Sequence, residues 1–371
     1  MAMLSEKTEG TETGALVRRE YLLAPRSSDL RGRHSLFWER CPTDRPLVGL
    51  FRQGMLPMAR FVERIGNGEI RPEQLPPTGW LSFYEETFQH TGLYWGDLVW
   101  WASPLNGFPW VEAIAGCPVE ASRIAGSVWA NPHPRLRHGL TDEAIEQVLA
   151  DLTYNPANPW LQKLIECTRG LVEHAAGRFP VCPGIMRGAS DLVAALLGSE
   201  AFCLALYDYP QAVAVLAEAG VSLWLQVIAA QLECIPPFAG GYVNAGLWAP
   251  APCPVYQEDA SVLISERAFR HFFLAAGQQV WKEYPYGILH LHSGGLQVVP
   301  ALLEGSSPPV VEINIDPGGP DLDRLLPIFA EIQRHTRLEV LGTQEQIERC
   351  IRELSAVGTA YLVLEESLGQ A

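Results

Sequence analysis

Short apolar runs, each ended by small or polar residues and followed by a segment of helical period, organise the second half of this chain. Gly287 to His292 (GILHLH) leads into a helical segment beginning near Gly295. Val310 to Ile315 (VVEINI) leads through Asp316-Pro317-Gly318-Gly319-Pro320 into Asp321 to Arg334. Leu338 to Leu341 leads through Gly342-Thr343 into Gln344 to Leu354, and Tyr361 to Leu364 is the last run. Strands alternating with helices in this way predict parallel βα units. In the first half, Leu47 to Phe51 after Pro46 predicts an initial buried strand, and Trp95 to Trp101 is a second apolar stretch, ended by Ser103-Pro104. Thr141 to Leu152 predicts a helix, with a Thr cap and acids in its first turn.

Two architectures are built from such units, an open doubly wound sheet and a closed barrel. No GxGxxG follows an early strand, and no linker-like break divides the chain after residue 30. The expectation is therefore a single α/β domain, a (β/α)8 TIM-type barrel over residues 29–371. The polar stretch over residues 1–28, rich in Glu, Thr and Gly, predicts a flexible N-terminal arm.

Composition narrows the function classes. The chain has 371 residues and is 48% hydrophobic, enough for a large core. Its 42 acidic residues against 27 basic give a net charge of -15, which disfavours nucleic acid and anionic lipid as partners. The first twenty residues lack the apolar segment of a secretory signal, and no uninterrupted apolar run is long enough to span a bilayer. Ala212 to Gln231 contains Glu218 and Ser222 and predicts a buried helix. The eight cysteines form no CxxC pair, the pattern of reduced core thiols in a cytoplasmic protein.

In a (β/α)8 barrel the chemistry lies at the C-terminal ends of the strands. His290 and His292 are two apart on one predicted strand, so their side chains share a face. Two imidazoles plus a carboxylate from a neighbouring strand make a three-ligand site with an open position for zinc or a similar divalent ion. Glu365 or Glu366, at the end of the last strand, is the candidate third ligand. The competing reading of the His pair is hydrogen bonding inside the barrel, or binding of an anionic substrate. Asp316 either caps the next helix or reaches inward, and Asp321 is better placed to cap. Arg187 pairs with Asp191 or with a substrate carboxylate. Asp259 either reaches into the site or is a solvated loop residue. Trp129 belongs to a cluster of tryptophans that serves as core or as pocket wall.

Several segments carry a family resemblance. Asp44 to Gln53 (DRPLVGLFRQ) resembles the first-strand segment of the uroporphyrinogen decarboxylase superfamily, usually DR.PVW..RQAGR. Gly188 to Leu192, then Leu197-Gly198 and Tyr207 to Pro210, resemble its mid-chain segment. Asp259 to Glu266 with Ala268 to Phe272 resembles its DSWAGLLSP..F..F segment, while Phe108 to Ile114 and His290 to Gly295 are similar to a divergent branch. The resemblance implies the (β/α)8 fold and a small-molecule substrate, with Arg52 and Gln53 on the substrate side; Trp129 and Ser293 are further candidate substrate contacts. Ala102-Ser103-Pro104 stands where the decarboxylase has its catalytic aspartate, and the second arginine of RQAGR is absent.

The same superfamily contains zinc-dependent enzymes that move a methyl group between a corrinoid and a thiol, their metal held by His-x-Cys on one strand and a Cys near the last. By that resemblance His290 matches the histidine, His292 stands at the first cysteine, and Glu365 or Glu366 lies near the second. It implies metal-dependent methyl transfer, with Asp316, Asp259, Arg187 and Asp191 as catalytic or substrate-orienting groups and a corrinoid supplied by a partner protein. The alternatives are a metal-free decarboxylase, in which Arg52 and Arg187 bind carboxylate and Asp191 or Asp259 stabilises a developing cation, and a non-catalytic barrel that binds a tetrapyrrole or a corrinoid protein.

Overall fold

A computed structural model describes residues 29–52, 58–92, 94–184 and 186–365; the N-terminal arm, Gln53 and Glu366 lie outside these. A seven-stranded parallel sheet organises the chain. Its strands are β1 (Leu47–Arg52), β2 (Met186–Arg187), β3 (Val255–Gln257), β4 (Ile288–His292), β5 (Val310–Asn314), β6 (Arg337–Thr343) and β7 (Thr359–Glu365), in the order β1-β7-β6-β5-β4-β3-β2. Helices cross between them, among them α1 (Ala189–Leu197), α2 (Pro210–Leu232), α3 (Leu322–His335) and α4 (Gln344–Glu353).

The strands are buried on both faces, as a sheet with helical crossovers requires. Leu289, Leu291, Val311, Ile313, Leu338, Val340, Tyr361 and Val363 join the large cluster shared with the helices. Residues of the other parity (Leu47, Val255, Ile288, Val310, Ala360 and Leu362) form a second cluster with Phe37 and Trp38 of the helix Leu30–Trp38. That cluster occupies the inner face near the strand starts. Farther along, the same parity becomes polar: His290, Glu312 and Glu339 are paired in register across β4, β5 and β6, with Gln257 on β3 beside His290. Because strand side chains alternate with period two, these groups share the inner face with the apolar cluster.

The ladder differs from the expected ring of eight. Among the described residues, β1 and β2 are linked through residues 97–102 by single contacts rather than by a paired strand. The Asp97 amide donates to the Val48 carbonyl (2.8 Å), and Ala102 forms a parallel bridge with Val181. Pro180 and Pro183 flank that bridge and have no N–H to extend it. Leu98–Val99 instead pairs antiparallel with Tyr94–Trp95.

Local capping follows the sequence. Thr141 caps the helix Asp142–Asp151, Ser265 caps Glu266–Phe272, and Asp321 caps α3, accepting from the Arg324 amide at 3.1 Å. The expected helical segment after β4 is present as a tight 3₁₀-helical turn over Ser293–Val298 that runs directly into the short α-helix Val299–Leu302, beginning slightly before Gly295. A Cβ at Gly295 would come within 2.4 Å of Ser261 Oγ, so this turn packs backbone against the loop after β3. Of the described helices α2 alone is long and apolar enough to cross a membrane, but Ala217, Val221, Trp224, Val227 and Ile228 on it are buried in the protein's own core.

Candidate metal centre

β4 delivers His290 and His292 to the inner face, where their rings meet edge to face with centroids 5.1 Å apart. Asp259, two residues beyond β3, completes the group: one donor atom from each of Asp259, His290 and His292 lies within 4.8 Å of the others. His290 Nε2 is 3.9 Å from Asp259 Oδ1, and His292 Nε2 is 3.5 Å from Asp259 Oδ2. Gln257 donates to Oδ2, whereas Oδ1 is buried with no hydrogen-bond donor.

Each imidazole turns its other nitrogen to a carboxylate of its own. His292 Nδ1 donates to Asp316 Oδ1 at 2.5 Å. His290 Nδ1 faces Glu312 Oε1 at 3.3 Å, an ion-pair contact off the line of a hydrogen bond. A carboxylate only accepts, so both contacts put a proton on Nδ1, and a neutral ring at either position has its Nε2 lone pair toward Asp259; His290, whose pKa is raised, must give up its Nε2 proton to bind a metal. Asp316 is itself held by Ser293 Oγ (3.0 Å) and Asn314 Nδ2 (3.2 Å), and its amide donates to Ser293 Oγ. A Cβ at Gly319 would come within 2.8 Å of that hydroxyl, which explains the glycine in the turn.

The surroundings are acidic, with His290 12% exposed and His292 and Asp259 each 35% exposed. Burial opposes protonation of His290, but Glu312, with Asp259 and Asp191 farther off, outweighs it and raises the pKa to about 9. Burial, then Glu312, pushes the Glu339 carboxyl well above its usual range, and neither of its oxygens has a hydrogen-bond partner among the described residues. Burial raises Asp191 likewise, reinforced by Asp259 and Glu258. Its Oδ1 accepts from the Ala260 amide, tying the loop that carries Asp259 to the start of α1. Burial also raises Glu258, to about 7, against hydrogen bonds from Ser190, Tyr256 and the Ala189 amide.

Other candidates lie as follows. Arg187 pairs with Glu112 Oε1 at 3.0 Å, not with Asp191. Burial raises Glu112 despite that guanidinium, because its side chain is 1% exposed. Trp129 lies outside the parallel sheet, on the strand Ser127–Ala130 of a three-stranded antiparallel sheet, its indole bonded to Asn131. Arg52 ends β1 and Glu365 ends β7, paired with each other in register. Their side chains lie outside the described residues, as do Gln53 and Glu366. Sequence reasoning missed Glu112, Glu258 and Glu339. Glu339, a lone acid inside the apolar run LEVL, carried a signal; Glu112 and Glu258 carried none before their partners were placed.

No protein-family model matches this sequence, and no curated protein matches it. Among solved structures, the chain is similar to a methyltransferase from Methanosarcina mazei, over 92% of this chain and 94% of that one, at 12% identity and a TM-score of 0.57. At that identity the likeness is one of fold: an α/β protein built on a large parallel sheet.

Proposed function

We propose that this protein is a metal-dependent methyltransferase with a (β/α)8 barrel of the uroporphyrinogen decarboxylase type, acting at the C-terminal ends of its strands. The observation that carries the reading is the convergence of two imidazole Nε2 atoms on one carboxylate, with each Nδ1 backed by a second carboxylate. That is how proteins orient histidines that bind metal. The buried, donorless Oδ1 of Asp259 fits a cation in the gap. His290, His292 and Asp259 would hold the ion; Asp259 takes the role first expected of Glu365 or Glu366. Nitrogen and oxygen donors of this set suit zinc.

A divalent ion there supplies Lewis acidity that lets a thiol lose its proton near neutral pH. Glu312 and Asp316 fix the ring orientations, Asp191 holds the Asp259 loop through Ala260, and Arg187, balanced by Glu112, flanks the opening. The proposed reaction joins the thiol sulfur to the methyl carbon of a methyl-corrinoid, delivered by a partner protein. The cobalt–carbon electron pair stays on cobalt, giving a thioether and a cob(I) corrinoid, and the thiol proton goes to solvent.

Elemental analysis of protein purified without an affinity tag tests the metal, with about one ion per chain expected. Anaerobic incubation with methylcobalamin and a thiol, followed by the absorbance of cob(I)alamin, tests the transfer. Stoichiometric metal that survives in the double variant His290→Ala, His292→Ala would place the ion elsewhere and defeat the assignment.

A further inference from the structure

We infer that Gln297 is a positioning residue of the metal centre: its carboxamide ties the turn that carries Asp259 to the turn that follows His292. The inference rests on the reading of the metal centre above and names a residue that acts on the site through Asp259.

The three proposed ligands are not held alike. His290 and His292 stand on β4, which lies between β3 and β5 in the sheet. Asp259 lies past the last ladder pair of β3, Gln257 with His290, on the 3₁₀ turn Asp259–Leu263. A ligand on such a turn is well placed only if the turn itself is fixed. Its upstream end is anchored by Glu258, whose amide donates to the His290 carbonyl at 3.1 Å. The Glu258 carboxylate also accepts from the amides of Ala189 (3.1 Å) and Ser190 (3.0 Å) at the start of α1.

The downstream end is anchored by Gln297, whose Nε2 donates to the Ser261 carbonyl at 2.6 Å and to the Ile264 carbonyl at 2.8 Å. Carbonyls only accept, so the NH2 end of the carboxamide faces them and both its protons are used. Gln297 belongs to the turn Ser293–Val298, which begins directly after His292 and whose Ser293 hydroxyl holds Asp316 behind that imidazole. One side chain thus joins the loop of the carboxylate ligand to the loop after an imidazole ligand. Between the two carbonyls, Val262 and Leu263 are 52% and 45% exposed, so that stretch gains little from packing. Gln297 is exposed too, and water can serve both carbonyls once the carboxamide is gone. Folding then loses little, whereas the freed turn must be ordered each time an ion binds, which lowers metal affinity.

Zinc affinity of the full-length protein, by competition with a chromophoric chelator, and the visible spectrum of its cobalt(II) form test this. Gln297→Leu, which removes the donor at similar size, should bind zinc roughly tenfold more weakly and alter the cobalt spectrum. Its metal-free form should unfold at nearly the wild-type temperature. Gln297→Lys restores a donor to the two carbonyls and should keep most of the affinity, while Gln297→Glu turns a carboxylate on them and should lose at least as much as leucine. Charge alone predicts the reverse order, because lysine repels a nearby cation and glutamate attracts it. That comparison stands even if the leucine variant does not fold. Affinities equal to wild type, or an order that follows charge, overturn the inference. So does a leucine variant that loses folding stability with its zinc affinity intact, the mark of a merely structural role. A wild type that takes up neither zinc nor cobalt defeats the metal reading and this inference with it, whereas wild-type binding shared by all three variants defeats the role of Gln297 alone.

Discussion

Replacing Asp316 by asparagine probes the metal centre without touching a ligand. In the wild type His292 Nδ1 donates to a carboxylate oxygen at 2.5 Å, while Ser293 and Asn314 hold that carboxylate from two sides. Asparagine keeps the shape, and its carbonyl can still accept from His292, but the acceptor loses its charge. Charge-assisted hydrogen bonds are about twice as strong as neutral ones, so the orientation of His292 weakens by roughly 1 to 2 kcal/mol. That corresponds to an affinity loss of about 5- to 30-fold, within the roughly 10- to 100-fold range typical of carboxylates behind metal-bound histidines. Zinc affinity is measured by competition with a chromophoric chelator at fixed pH and ionic strength, alongside thermal unfolding of the metal-free protein. The metal-free variant should unfold within a few degrees of wild type, since the Asp316 amide still donates to Ser293 Oγ. Unchanged zinc affinity in Asp316→Asn would refute the role given to Asp316, and with it the orientation of His292 that makes Nε2 a donor.

Three further outcomes are expected. Asp259→Ala should lose most of the bound metal while Glu365→Ala keeps it, measured by elemental analysis of dialysed protein; the reverse pattern would restore the last strand as the source of the carboxylate. Burial lowers the His34 pKa from 6.5 to about 4, so as pH falls from 6.5 the unfolded chain takes up a proton that the folded chain refuses. Stability is therefore lost across that window, by about 2 kcal/mol at pH 5 from this residue, and His34→Gln should remove that share of the slope in urea unfolding between pH 7 and 5. Uroporphyrinogen should not be decarboxylated at an ordinary enzymatic rate of about 1 per second or more, because Ser103-Pro104 stands at the expected aspartate and the Ser103 carbonyl is engaged by Tyr84; anaerobic formation of coproporphyrinogen would contradict this.

Sequence periodicity alone determined the α/β class, the positions of strands and helices in the second half, and the shared face of His290 and His292. The reason is local: strand side chains alternate with period two and helix caps act within a single turn, so Asp321 was legible as a cap and Asp316 as free. The tertiary structure decided which acids meet those imidazoles. Asp259 reaches them because β3 lies beside β4 in the sheet, and Glu312 backs His290 because β5 pairs with β4 in that register. It likewise gave Arg187 to Glu112, which is distant in sequence, and put Trp129 on a separate sheet. Strand order and register come from packing the whole chain, and no local pattern encodes them. The continuity of the ring between β1 and β2 was decided the same way, where prolines beside Val181 leave a single bridge in place of a paired strand.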